Sequence, residues 1–241
     1  MEVVKMLLPQ NKYVIKCPHE MIPEFITIHN TANDASAINE IAYMIGNDKK
    51  VSFHCAIDDV RIVQGIPFNR NSWNATDGAK GDGNRKGIAL EICYSKSGGE
   101  RFREAERIAA EYTAYLLKQY GWGIDKVKKH DDFYPRKGCP HRTLQDGWQR
   151  FLDMVKSYMI NKPIDNNIES GSDEPVRVYQ NGSTSENVYA DTDCTIKIGS
   201  LNPREKCDCF GVFNNRAMVR YAVNGTNNYK IGFCKWIDGV K

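Results

Sequence analysis

The order of apolar and polar positions divides the chain into two textures. In the first, strand-like runs alternate with helical spacing. The segment "EFITIHNTA" is a β-branched and aromatic run that ends in polar turn residues, and it predicts a buried strand. "AINEIAYMIGN" follows at helical spacing and stops at Gly46. "VSFHCAID" and "GIALEICYS" predict two further strands, the second apolar almost throughout, as a central strand should be. From Phe102 the apolar positions Phe102, Ala105, Ile108, Ala109, Tyr112, Tyr115 and Leu116 recur at three- and four-residue steps, which predicts an amphipathic helix ending before "GWG". A second helix is predicted to begin after Thr143, with Asp146 completing a capping-box-like pattern, and to bury Leu144, Trp148, Phe151, Leu152, Val155 and Tyr158. Interleaved strands and helices indicate an α/β fold, a mixed sheet flanked by helices.

After Ile160 the texture changes. "NKPIDNNIESGSDEP" has almost no apolar content and reads as a linker. Beyond it, short β-rich runs are parted by Asn-Gly, Asn-Pro and Asn-Asn turns with no useful helical period, which predicts a small all-β barrel of about seventy residues. The expected organisation is an α/β domain over 1–160, a linker over 161–174 and a β domain over 175–241.

Composition narrows the function classes. Hydrophobic residues at 41% and charged residues at 26% of 241 fit a globular protein with a real core. A net charge of +3 is too slight to argue for nucleic acid. The opening "MEVVKMLLPQNKYVIK" has neither a basic n-region nor a usable apolar h-region, and no stretch approaches a membrane span. The expectation is a chain made without a signal peptide and not inserted in a membrane, with its eight cysteines reduced. Cys17, Cys55 and Cys93 read as buried free thiols. Cys194, Cys207, Cys209 and Cys234 have a Cys-x-Cys spacing poorly suited to a zinc knuckle, so a nucleic-acid role is set aside; burial, or bridges formed after release, both stay open.

The candidate chemistry lies in "HDDFYPRKGCPH", where His130 and Cys139 bracket Lys137 in a loop rich in turn residues. A catalytic zinc needs three protein ligands and an open fourth position. His29, closing the strand "EFITIHN", could supply the third, although on position alone a strand-end histidine is more often a structural hydrogen-bonder than a ligand. Glu91 interrupts the apolar "GIALEIC"; a buried salt bridge, a solvent-facing strand position and a catalytic carboxylate are all readings of it.

The combination of "HNTA" at 29–32, the strand "GIALEIC", and His130 and Cys139 with Lys137 between them resembles the zinc-dependent phage-type N-acetylmuramoyl-L-alanine amidases, whose fold is shared with peptidoglycan recognition proteins. The resemblance runs from about Glu24 to Arg150. It implies a Zn2+ held by His29, His130 and Cys139, with Glu91 as general base and acid. Lys137 would stabilise the oxyanion, against the alternative of an ordinary solvated lysine. The loop "NSWNATDGAKGDGNRKG" resembles one that lines the substrate cleft, so Trp73, Asn30 and Thr31 become candidate substrate contacts; Trp73 could instead anchor the core. The sequence also departs from the family. The His130–Cys139 spacing is one residue longer than usual, Phe53 stands where some members carry a tyrosine, and Asn74 replaces a usual histidine. His54 is assigned a supporting rather than a ligating role.

The implied function is an endolysin that cleaves the amide between N-acetylmuramic acid and L-alanine in the peptidoglycan of a Gram-positive wall, acting as a monomer after release from the host. The C-terminal module resembles a bacterial SH3-like wall-binding domain in length, turns and position. The alternative is a recognition protein that binds peptidoglycan without cutting it; such members typically lack the cysteine ligand, which is present here.

Overall fold

The structure, a computed structural model, describes residues 3–161, 177–189, 194, 197–213, 216–223, 229–235 and 238–240. The chain divides into two compact units, Met1–Ser170 and Gly171–Lys241. Apart from Asn161, the expected linker lies outside the described residues.

The first unit is the expected α/β fold. Its strands are β1 (Val3–Lys5), β2 (Phe25–Asn30), β3 (Cys55–Ile57), β4 (Ile62–Gln64), β5 (Gly87–Ile92) and β6 (Val127–Lys129), and its helices are α1 (Tyr13–Lys16), α2 (Ala37–Gly46), α3 (Asp82–Lys86), α4 (Gly99–Tyr120), α5 (His141–Asp146) and α6 (Trp148–Asn161). The strand order is β1-β4-β3-β5-β2-β6. β3, β5, β2 and β6 run parallel, while β4 is antiparallel to β3 and parallel to the edge strand β1. β5 is central and apolar, as read from the sequence.

Three expectations need correction. The run 51–58 is a strand only over Cys55–Ile57. Its first half turns aside, Ser52 N–H bonding to the Trp73 carbonyl at 3.0 Å and Phe53 N–H to Met44 Sδ at 3.4 Å. The last helix is two: Gly147, at φ 107°, separates α5 from α6. Thr143 does not cap it but lies buried inside α5, whose first N–H groups are capped from β2, Asn30 Oδ1 accepting from Arg142 N at 2.9 Å and Thr143 N at 3.2 Å.

α4 behaves as its spacing predicts. It buries Phe102, Ala105, Ala109, Tyr112 and Leu116 and ends at Gly121, whose left-handed backbone (φ 65°) returns its N–H to the Leu117 and Lys118 carbonyls. Glu106 of α4 is buried against Arg150 of α6 at 2.6 Å, an ion pair that apolar periodicity could not announce. α2, capped by Ser36 Oγ, packs against the chain at Gly65. A Cβ there would meet Met44 Cε at 2.6 Å and Ile41 Cδ1 at 2.8 Å.

The second unit is an antiparallel sheet of β7 (Arg177–Gln180), β8 (Glu186–Tyr189), β9 (Lys197–Leu201), β10 (Lys206–Phe213), β11 (Arg216–Ala222) and β12 (Tyr229–Cys234), in the order β7-β10-β11-β12-β8-β9. All six strands send residues into one core of Tyr179, Val188, Leu201, Cys209, Ala217, Val219, Tyr221 and Cys234, so the sheet curls on itself. None of the eight cysteines is joined in a disulfide. Among the described residues no helix is long and apolar enough to cross a membrane.

Candidate active site

Parallel strands share a carboxyl edge, and α/β folds build their sites there. His29 is the penultimate residue of β2, and Glu91 is its register partner on β5. His130 directly follows β6, the other parallel neighbour of β2. Three adjacent strands therefore deliver two imidazoles and a carboxylate to one edge. Cys139 arrives on the loop after His130. That loop is clasped by two bonds of Asp131, whose N–H donates to the Cys139 carbonyl and whose Oδ1 accepts the Cys139 N–H, both at 3.1 Å.

The ligating atoms of His29, His130 and Cys139 lie within 4.8 Å of one another, and all three residues are buried. His29 Nδ1 is 3.1 Å from His130 Nδ1 and 3.9 Å from Cys139 Sγ. The far nitrogens are occupied: His29 Nε2 lies 3.1 Å from Asn74 Oδ1, and His130 Nε2 lies 3.3 Å from Thr76 Oγ1. The polarity of the first contact is fixed by its neighbours. Asn74 Nδ2 donates to Ser72 Oγ at 2.8 Å, leaving Oδ1 as the acceptor for a His29 Nε2–H. Ser72 Oγ lies 3.3 Å from His54 Nδ1, which also accepts the Ala89 N–H at 3.0 Å, while His54 Nε2 donates to the Arg70 carbonyl. The chain His54–Ser72–Asn74 thus holds His29 with its Nδ1 lone pair bare and facing the cluster, the arrangement a metal ligand requires.

Electrostatics prepare the same groups. Burial, and then the neighbouring His130, push His29 down to about 3, and burial and Lys137 lower His130, so both imidazoles are neutral at pH 7. Burial, then Glu91, pushes the Cys139 thiol up to about 12. Two neutral imidazoles beside a thiol form a donor set that fits a divalent metal of zinc's softness, supplying three protein ligands. Glu91 is raised to about 8, chiefly by burial and next by Glu40, and its Oε2 is buried without a hydrogen-bond partner.

These residues line a cavity of about 810 Å³. It brings together all eight sequence-predicted site residues: His29, His130 and Cys139; Glu91 and Lys137; Trp73, Asn30 and Thr31. Their engagements differ. Asn30 lines the wall, but its amide is occupied in capping α5 and in a bond to Thr143 Oγ1. Trp73 is both wall and anchor, its Nε1 donating to the Ile15 carbonyl at 2.9 Å. Lys137 is exposed on the rim. Phe53 lines the cavity at the position read as a lost tyrosine, yet a phenol is present from another element, Tyr43 of α2. Asn74, Thr76, Asp131 and Glu40 were not legible as site residues. Asn74 stood out only as a departure, and Glu40 lay hidden in a helix's polar positions although it is buried and held by Asn33.

Comparison with known proteins agrees with this geometry. The family model Amidase_2, described as N-acetylmuramoyl-L-alanine amidase, matches residues 19–142. Over 146 residues the chain is 58% identical to the N-acetylmuramoyl-L-alanine amidase CwlA of Bacillus subtilis (strain 168), covering 61% of this chain and 53% of that protein. Over 156 residues it is 56% identical to the amidase XlyB of the same strain, covering 64% of this chain and 48% of that protein. The chain thus spans about half the length of the curated relatives it matches. Among solved structures, PlyL superposes with a TM-score of 0.63 at 48% identity, covering 66% of this chain and 99% of that one. The PlyG catalytic domain superposes with a TM-score of 0.63 at 46% identity, covering 68% and 99%. With the matched segment carrying β2, β5, β6 and every residue of the His29–His130–Cys139 cluster, the chain belongs to the N-acetylmuramoyl-L-alanine amidase family Amidase_2.

Proposed function

We propose that the protein hydrolyses the amide between the lactyl group of N-acetylmuramic acid and L-alanine in peptidoglycan, with Zn2+ held by His29, His130 and Cys139. The convergence of that trio with Glu91 and Lys137 in one cavity carries the reading. A zinc ion at such a site supplies Lewis-acid polarisation and lowers the pKa of water to roughly 7.

The chain's own residues supply the rest. Glu91 takes a proton from the attacking water and passes it to the alanine nitrogen as the C–N bond breaks. A carboxyl poised at about 8 suits both halves of that transfer near neutral pH. Lys137, on the cavity rim, faces the carbonyl oxygen as it gains negative charge. The Asn74–Ser72–His54 chain keeps His29 in the ligating tautomer, and Asp131 holds the Cys139 loop shut.

The family fold, the wall-directed chemistry and a separate β unit together support a lysin of Gram-positive walls, in which the second unit is an SH3-like module that retains the enzyme on its insoluble substrate. Mass spectrometry of digested peptidoglycan tests the reaction. Newly exposed alanine amino groups are expected, and new reducing sugar ends instead would overturn the assignment.

A further inference from the structure

The cavity extends beyond the metal cluster, and its charge is uneven. The loop 73–79 runs along it: Trp73 lies beneath Lys50, Asn74 meets His29, Thr76 meets His130, and Gly78 and Ala79 continue the lining. Past His130 that lining carries small neutral residues. Past Trp73 it carries Lys49 and Lys50, both exposed. The acidic residues of the lining, Glu40 and Glu91, belong to the cluster end. Asp48 is tied to Lys12 and is not part of the lining.

The lysine end is built rather than floppy. The fully buried Lys16 of α1 donates Nζ to the Lys49 carbonyl at 2.6 Å, Asn47 Oδ1 at 3.0 Å and the Val51 carbonyl at 3.1 Å. Ser52 Oγ donates to the Lys16 carbonyl at 2.6 Å and accepts the Trp73 N–H at 2.9 Å. A buried ammonium is costly, and here three acceptors compensate it to fix one short loop. That loop presents Lys50 Nζ 4.3 Å above the Trp73 ring and Lys49 Nζ 2.9 Å from the Tyr43 hydroxyl.

The substrate's chemistry is uneven in the same sense. In peptidoglycan the lactyl carboxyl is consumed in the scissile amide, so the backbone glycan is neutral there and the nearest free carboxylates lie on the peptide stem. The first, on the residue after L-alanine, sits within about 7 Å of the scissile nitrogen at roughly 3.5 Å per residue. α2 lines the cavity from Glu40, and its C-cap Asn47 lies about 10 Å further on at 1.5 Å per residue, a span that two lysine side chains can close.

Resting on the amidase reading, the geometry points to Lys49 and Lys50 as a binding site for that stem carboxylate, which directs the peptide over Trp73 and the neutral glycan past Thr76. The site selects for an uncapped carboxylate over the carboxamide found in amidated walls.

Two soluble disaccharide-peptides free of wall phosphate test this, identical except for carboxylate or carboxamide on the second stem residue. The zinc-loaded full chain should cleave the carboxylate form with a kcat/KM about five- to tenfold higher, carried by KM, as two exposed ion pairs allow. In Lys49→Ala/Lys50→Ala that ratio should fall to near one, and in Lys49→Glu/Lys50→Glu it should invert, with melting temperature and zinc content confirming each fold. A wild type without preference, or a ratio that survives both variants, overturns the site. A loss confined to whole walls would assign the lysines to wall phosphate and overturn it equally. Failure of the wild type to cleave either compound would instead remove the amidase reading on which the site rests.

Discussion

Both units bury thiols, and the two settings give those thiols different chemistry. Cys139 sits 3.9 Å from His29 Nδ1 at the carboxyl edge of parallel strands, beside a second imidazole and a carboxyl raised to about 8. Cys209 and Cys234 lie in the core of the second unit among Tyr179, Val188, Val219 and Tyr221, with Cys207 packed against it. Burial pushes both Cys139 and Cys207 up to about 12, so neither is a thiolate by itself at neutral pH. What separates them is company. A metal can displace the proton of the first thiol, because two neutral nitrogen donors share the charge; Cys207 has acidic neighbours, Glu205 and Asp208, and no imidazole among those that shift it.

The largest expected effect tests that contrast directly. Cys139→Ser should lose stoichiometric zinc and turnover together, whereas Cys207→Ser should keep both; elemental analysis beside turnover on wall fragments reads the difference. Full zinc retention by the Cys139 variant would break the comparison. Next in size, Glu91→Ala should lower turnover about 10²- to 10⁴-fold while zinc stays bound, since the carboxylate neighbours the trio without belonging to it. Lys137→Ala should cost about 3 kcal/mol of transition-state stabilisation, and the double variant less than the sum, because both residues serve one transition state.

A smaller effect sharpens the account of why the first thiol is ready. Asn74→Ala releases His29 from its fixed tautomer and should weaken zinc affinity about 10- to 100-fold in chelator competition, with Ser72→Ala, one step further out, weaker in effect. An Asn74 variant with undiminished affinity would show that the far nitrogen needs no orienting partner.

The pH dependence follows from the same groups. His29, pushed down to about 3, is a neutral imidazole at pH 6–8, and His130 is lowered as well, while Cys139, pushed up to about 12, keeps its proton in the metal-free protein. Binding must therefore expel the thiol proton, and affinity should rise with pH, about tenfold per unit across that window. A flat profile would mean that the thiol is not a ligand. The smallest effect is expected from removing residues 163–241: a folded, zinc-loaded first unit with intrinsic turnover preserved and weaker pelleting with Gram-positive walls.

The parts of the site legible in the sequence are those where a polar residue interrupts a strong apolar pattern. His29 stands next to the end of a fully buried strand and Glu91 breaks the apolar run of another, and each stands out against its neighbours. The apolar spacing of α4 and the glycine that ends it were equally plain. The rest left no periodic trace. β1, β3, β4 and β6 are three residues each, too short for alternation to register, and the sharp turn at Gly147 is masked by apolar spacing that continues through it. Asn74, Asp131 and Lys16 act through hydrogen bonds to residues outside their own elements, which no local pattern encodes.

By itself, then, the sequence determined the fold class, the strands that carry His29 and Glu91, and the candidate set of metal-binding side chains, because strand and helix periodicity and residue chemistry are local properties of a chain. Only the tertiary structure decided that β5, β2 and β6 lie side by side and parallel, and so that residues 29, 91 and 130 share one edge. It also decided which imidazole nitrogen faces inward and which lysines face the cleft, since those depend on partners up to a hundred residues away, brought near by the packing of the core.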